Sequence, residues 1–212
     1  MLEPIPELDF FEEQHRYRWR NNWILDNVSD VLQGELNPFA KKKIEETKHG
    51  EDGWLARGKA IHCSLDRYLK GEADTHDDRW SPWIDALLSD KLFQGIETLA
   101  TEFCVVDRFN SVAGSFDFLI CHKDDPSFVI LGDLKTVGSV KAVSGRKPAT
   151  GQLGAYTKML SQHFGYISVT QCVTVVSGPK KCRVIRQQPE DCINAWEEAY
   201  GRHQAQLASF DF

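Results

Sequence analysis

Two apolar runs dominate the pattern along the chain. Phe116, Phe118, Leu119 and Ile120 form one, Phe128, Val129, Ile130 and Leu131 the other, with Asp124, Asp125 and Pro126 between them as turn formers. Short runs rich in aromatic and branched residues, joined by a polar turn, predict a β-hairpin. Near the start, His15, Tyr17 and Trp19 alternate, Asn21-Asn22 interrupts, and Trp23 to Leu25 follows, which predicts a short two-stranded ribbon with Ser29 as a helix N-cap beyond it. Leu55, Ile61, Leu65, Tyr68 and Leu69 recur at three- and four-residue intervals, the mark of an amphipathic helix of roughly four turns. Pro82 ahead of Trp83, Ile84, Leu87 and Leu88 predicts a second helix packed on the first. Residues 98–107 read as a strand before the hairpin, Gln152 to Leu160 as a helix, and Tyr166 to Val176 and Lys181 to Gln187 as two strands meeting across Ser177-Gly178-Pro179. A terminal helix from Pro189 to about Leu207 carries Ile193, Trp196, Tyr200 and Leu207 on its apolar side.

Such an order of elements implies the α/β class: a single domain whose central mixed β-sheet, of about five strands, is flanked by helices. Within residues 1–212 the expected parts are an N-terminal ribbon and helix over 1–50, a helical part over 53–95, a core over 98–160, and C-terminal strands and helix over 161–212. The apolar share of 42% and charged share of 26% are those of an ordinary globular protein. No run approaches the ~18 apolar residues of a membrane span. The acidic, proline-bearing stretch Met1 to Asp9 does not read as a signal peptide, so a cytoplasmic protein without a membrane partner is expected. Six cysteines at 63, 104, 121, 172, 182 and 192 are scattered without a C-x-x-C, a spacing that suggests neither a zinc knuckle nor an iron–sulfur cluster.

The candidate chemistry lies on and beside the hairpin. Asp133 and Lys135 stand two apart, so on a strand they project from one face, and Asp117 can reach the same space from the partner strand. Two carboxylates and an ammonium converging on an apolar sheet call for a reason, because an unpaired buried charge is costly. Hard oxygen ligands around Mg²⁺ or Mn²⁺ supply one, with the lysine placed to hold a water or neutralise charge on a phosphorus-bound oxygen. That is the chemistry of phosphodiester hydrolysis. The competing reading of Asp133 and Lys135 is a surface ion pair at a strand exit. Gln152 and Tyr156, four apart on one helix face, add polar groups downstream. A net charge of −6 argues against indiscriminate binding to a polyanion but says little about a local groove. Lys135, Lys141, Arg146, Lys147 and Lys158 cluster near the proposed chemistry. Lys41, Lys42 and Lys43, and later Lys180, Lys181, Arg183 and Arg186, fit either a phosphate-facing or a solvated face. Read alone, His62 at the edge of its helix's apolar stripe is a hydrogen-bonded helix histidine.

The motifs in order are Arg57-Gly-x-x-x-His62, Gly114-x-x-Asp117, Asp133-x-Lys135-Thr136 and Gln152-x-x-x-Tyr156. This set resembles the PD-(D/E)xK nuclease superfamily, in its RecB-like branch. The opening from Phe10 through His15 and Tyr17 is similar to that of phage-type and mitochondrial genome maintenance-type exonucleases, though Val28-Ser29 departs from their serine-valine order. The resemblance implies a restriction-endonuclease-like core and an Mg²⁺- or Mn²⁺-dependent deoxyribonuclease. Its substrate would be single-stranded DNA or DNA ends, in replication, recombination or repair and alongside proteins of those processes. His62, Asp117, Asp133 and the backbone carbonyl of Leu134 would hold the metal. Lys135 would position the water, Gln152 and Tyr156 would line the site, and Glu102 would be an additional acid. Arg57, Lys141, Arg146, Lys147 and Lys158 would contact the nucleic acid. A structure- or sequence-specific endonuclease on the same core and an inactive nucleic-acid-binding module are the alternatives. Relatives that carry an iron–sulfur cluster hold it with a tight C-terminal cysteine group that this chain lacks, so no such cluster is expected.

Overall fold

The computed structural model describes residues 1–33, 38–50, 53–73 and 75–210. The chain opens with an antiparallel three-stranded ribbon of β1 (Leu8–Phe11), β2 (Arg16–Trp19) and β3 (Asn22–Trp23). The two-residue β4 (Asp26–Asn27) then leads into α1 (Val28–Gln33), followed by α2 (Pro38–Glu46), α3 (Trp54–Lys70) and α4 (Ser81–Leu88). Long strands follow: β5 (Ile96–Val106), β6 (Val112–His122) and β7 (Asp125–Thr136). Helices α5 (Val140–Gly145) and α6 (Thr150–His163), strands β8 (Val169–Gly178) and β9 (Lys181–Gln187), and helix α7 (Pro189–Phe210) complete the chain.

The five long strands form one mixed sheet in the order β5-β6-β7-β8-β9, with β7 and β8 parallel and the other neighbours antiparallel. β4 adds a short parallel pairing at the start of β6, Asp26 opposite Val112. The parallel step is made by the β7–α5–α6–β8 crossover, as a parallel pair requires. One face of the sheet packs Phe118, Ile120, Ile130 and Leu134 with Ile61, Leu65 and Leu69 of α3 and Ile84 and Leu87 of α4. The other packs Phe116, Leu119, Leu131 and Cys172 with Val28 and Val31 of α1, Leu153 and Met159 of α6, Trp196 of α7 and Tyr17 of the ribbon. The result is the expected α/β single domain, a central mixed sheet flanked by helices. Among the described residues no helix is long and apolar enough to cross a membrane.

Several local expectations are corrected. The ribbon has three strands, because Leu8–Phe11 pairs with Arg16–Trp19. The helix after it begins at Val28, so Ser29 lies inside it, and Asn27 at its threshold bonds Asp30 Oδ2 through Nδ2 at 2.9 Å. The hairpin turn is tighter than its polar run: His122 is opposite Asp125, and Asp125 and Pro126 already belong to β7. The segment after Thr136, for which the pattern predicts no element, forms the short helix α5. Ser139 caps α5 by accepting the N–H of Ala142 at 3.2 Å, and Val143 buries the turn. On α3, Leu55 and Tyr68 stay largely exposed while Ile61, Leu65 and Leu69 enter the core. The side chains of Lys41 and Lys43 lie outside the described residues; Lys42 stands 3.9 Å from Glu46 on the exposed surface of α2.

Candidate active site

The site forms where β6 and β7 part. Their ladder runs from His122 opposite Asp125 to Phe118 opposite Gly132 and stops there. One residue further, the Asp117 carboxylate accepts the backbone N–H of Leu134, so a side chain takes the place of a ladder bond. Alternation breaks at the same point. Phe118 lies in the core under α3 and α4, whereas Phe116, two residues away, lies in the opposite core. On a regular strand the two would share a face. Across on β5, Glu102 drops out of the ladder between Thr101 opposite Phe118 and Phe103 opposite Phe116, with φ at 44°. A left-handed backbone costs a non-glycine residue ~1–2 kcal/mol. This matched irregularity on two strands lets Glu102 and Asp117 both reach the α3 side of the sheet.

What they reach is His62. Its Nδ1 lies 3.2 Å from Asp117 Oδ1 and 3.6 Å from Glu102 Oε1. One donor atom from each of the three residues falls within 4.8 Å of the others. His62 follows Ile61, which is fully buried, so the helix face that anchors α3 also sets the imidazole at the strand gap.

Asp133 and Lys135 emerge on β7 as the two-residue period requires, but toward α6. Lys135 Nζ lies 2.9 Å from each Asp133 oxygen and donates to Oδ1, leaving the buried Oδ2 without a hydrogen bond. Nζ also donates to Gln152 Oε1 at 2.9 Å, and Gln152 Nε2 donates to the Tyr156 hydroxyl at 3.0 Å. The glycines of the two strand motifs make this packing possible. A Cβ on Gly114 would stand 2.7 Å from the Tyr156 ring, and one on Gly132 would overlap the ring of Phe118.

Burial and charge compete throughout. Burial alone would hold His62 neutral, but Asp117 and Glu102 outweigh it and push its pKa up to about 10. Burial would raise Asp117, yet His62, Lys135 and the Leu134 N–H hold it below the usual carboxylate value. Asp133 is pushed up to about 6, by burial first and by Asp117, against the pull of Lys135. Burial keeps the Tyr156 hydroxyl well above its ordinary pKa, a neutral group at working pH.

The donor set suits a divalent cation. Glu102, Asp117 and His62 offer two carboxylates and an imidazole within one coordination sphere's breadth, and Asp133 Oδ2 is a buried oxygen with no hydrogen bond. The structure therefore brings together His62, Asp117, Asp133, Lys135, Gln152 and Tyr156. It also draws in Glu102, which sequence weighed lightly because only the backbone twist at 102 aims it at His62. Leu134 is buried, so only its backbone can face the site. Arg57 comes close to Gly138 in the segment after β7: a Cβ there would lie 3.6 Å from its guanidinium. Lys141, Arg146 and Lys147 are exposed on and beside α5. Lys158 is the exception. Its Nζ pairs with Glu197 of α7 at 3.0 Å, on a side of α6 turned away from Tyr156.

No family profile and no curated protein matches the chain. Among solved structures, a "putative exonuclease" from Eubacterium rectale is similar at 14% identity, over 86% of this chain and 78% of that one, with a TM-score of 0.48. An alkaline exonuclease from Laribacter hongkongensis is similar at 10% identity, over 87% and 90%, with a TM-score of 0.40. SSO0001 is similar at 14% identity, over 82% and 73%, with a TM-score of 0.39. At these identities and scores the likeness lies in the path of the chain.

Proposed function

We propose that the chain is a metal-dependent DNA nuclease of the PD-(D/E)xK superfamily and its RecB-like branch, an exonuclease acting on single-stranded DNA or DNA ends. One observation carries the reading: Glu102, Asp117 and His62 converge within 4.8 Å beside a lysine fixed by Asp133 and Gln152. His62, Glu102, Asp117 and Asp133, with the Leu134 carbonyl, would hold Mg²⁺ or Mn²⁺. Bound there, the ion would acidify water and offset charge on the scissile phosphate.

The protein's own groups do the rest. Asp133 and Gln152 each accept a hydrogen bond from one N–H of the Lys135 ammonium, which leaves the third N–H free to hold the attacking water or an oxygen of the phosphate. Tyr156 fixes Gln152, and through it the direction of that proton. Arg57, Lys141, Arg146 and Lys147 would track the phosphate backbone. The working place is the cytoplasm, among replication or recombination proteins.

The test is digestion of end-labelled linear single- and double-stranded DNA beside closed circular single-stranded DNA, with Mg²⁺, Mn²⁺ or EDTA. Metal-dependent loss of linear DNA alone is expected. Cutting of circles would make it an endonuclease, and no cleavage by a folded protein would remove the enzymatic reading.

A further inference from the structure

The outer face of the N-terminal ribbon alternates aromatic rings with guanidinium groups. Register places Phe11 opposite Arg16, and Arg18 opposite both Asp9 and Trp23, so Asp9, Phe11, Arg16, Arg18 and Trp23 share one face. The reverse face carries Tyr17 and Trp19 into the core. On the outer face the Phe11 and Trp23 rings lie 5.0 Å apart. The Arg16 guanidinium stands over Trp23 at 4.8 Å, and that of Arg18 over Phe11 at 5.0 Å. Arg16 is exposed and Trp23 is 41% exposed, so the paired rings and the guanidiniums over them are open to solvent at their edge.

We propose that this face is a stacking platform for single-stranded nucleic acid, feeding the site on α3. It rests on the nuclease reading only in taking nucleic acid as the ligand. The choice of single strand over duplex follows from the charges. Asp9 pairs with Arg18 at 2.9 Å and Glu12 with Lys59 at 3.2 Å, so the cations of the patch are largely offset. A duplex offers a protein surface mainly its phosphates, and this surface has little net charge for them. Unpaired bases offer π-faces, which aromatic rings and guanidinium planes bind irrespective of sequence. The platform also lies close to the chemistry. Glu12 directly follows Phe11, and its partner Lys59 sits three residues before His62, one turn earlier on the same side of α3.

The test is fluorescence anisotropy of a labelled thymidine oligonucleotide with the full chain in EDTA, so that binding is read without cleavage. Trp23→Ala is expected to weaken single-strand binding about five- to a hundredfold, the loss of one stacked base. Trp23→Phe should keep most of the affinity, and Arg16→Gln should weaken it. The dependence on salt should be shallow, with a log–log slope near −1 for one or two phosphates. Wild-type affinity in both Trp23→Ala and Arg16→Gln, or no single-strand binding by the wild type, would overturn the proposal. Should circular dichroism find Trp23→Ala unfolded, Arg16→Gln alone decides. Hydrolysis of bis(p-nitrophenyl) phosphate with Mn²⁺, a substrate too small to span ribbon and site, tests the nuclease reading separately.

Discussion

At His62, burial and charge pull in opposite directions, and charge prevails. Its pKa, raised to about 10 by Asp117 and Glu102, means that folding favours the imidazolium. A group whose pKa rises on folding stabilises fully below its unfolded value, near 6.5, and loses that contribution as pH climbs through about 10. Metal-free His62→Gln should thus be less stable than wild type at pH 6, with the gap closing toward pH 10; thermal melts in EDTA across that range would measure it. A metal needs neutral imidazole, so Mn²⁺ binding at pH 7 should release a proton and tighten as pH rises. Calorimetry in buffers of different ionisation enthalpy counts that proton, and no release would contradict His62 as a ligand. Lys135→Ala should lower the cleavage rate about 10²- to 10⁴-fold and also cost stability, because it leaves the buried Asp133 carboxylate unpaired, whereas Gln152→Leu should slow cleavage by less, since Asp133 still holds the ammonium. Single-turnover rates of end-labelled DNA would rank the two. Asp133 and Lys135 were legible because a strand's two-residue period is all that aligns them, and Asp117 because it lies on the partner strand, although a break in alternation is what aims it. Glu102 entered only through the resemblance, because its aim depends on a left-handed backbone that no residue type announces.

Between elements, the distances of approach are set by glycine. Helix α6 can lay Tyr156 against β6 only because Gly114 has no side chain, and Phe118 can cross β7 only at Gly132. A methyl at either point overpacks the core, at a cost of about 1–3 kcal/mol. Gly132→Ala should be the worse, since its Cβ would overlap the edge of the Phe118 ring, while the Gly114 Cβ stands 2.7 Å from Tyr156. Urea midpoints would order them, and Phe118→Leu should recover part of the Gly132→Ala loss. Equal midpoints for Gly132→Ala and wild type would mean that the strands part more readily than this packing allows. Hairpin, α3 and α7 were legible because their apolar patterns are long, and α4 because Pro82 opens a short apolar run. β1 escaped notice because Leu8–Phe11 reads as leucine, acid and two aromatics, and its pairing with β2 is visible only in register. α5 escaped because six residues are too few to show a period, and what holds it is the Ser139 cap and buried Val143.

Over the whole molecule, a chain with net charge −6 gathers three carboxylates, Glu102, Asp117 and Asp133, at one sheet gap. Folding has already raised Asp133 to about 6, so at pH 7 its ionised form opposes the fold. A divalent cation would relieve that repulsion while binding only the folded chain, and such a ligand stabilises by about 2.7 kcal/mol at a hundred times its dissociation constant. For a domain of this size each kcal/mol moves the thermal midpoint by about 2–4 °C, so Mn²⁺ at that concentration should raise it by about 5–10 °C over EDTA. Asp117→Asn keeps an oxygen for the Leu134 N–H and so preserves the strand gap, but it removes a charge from the site. Its melting point in EDTA should fall below that of the wild type, because the ion pair with His62 is lost, and its response to Mn²⁺ should largely vanish. An equal metal shift in wild type and Asp117→Asn would place the cation elsewhere on the surface. No shift in either would leave three converging carboxylates balanced by His62 and Lys135 alone, a structural cluster of charges with no metal to hold.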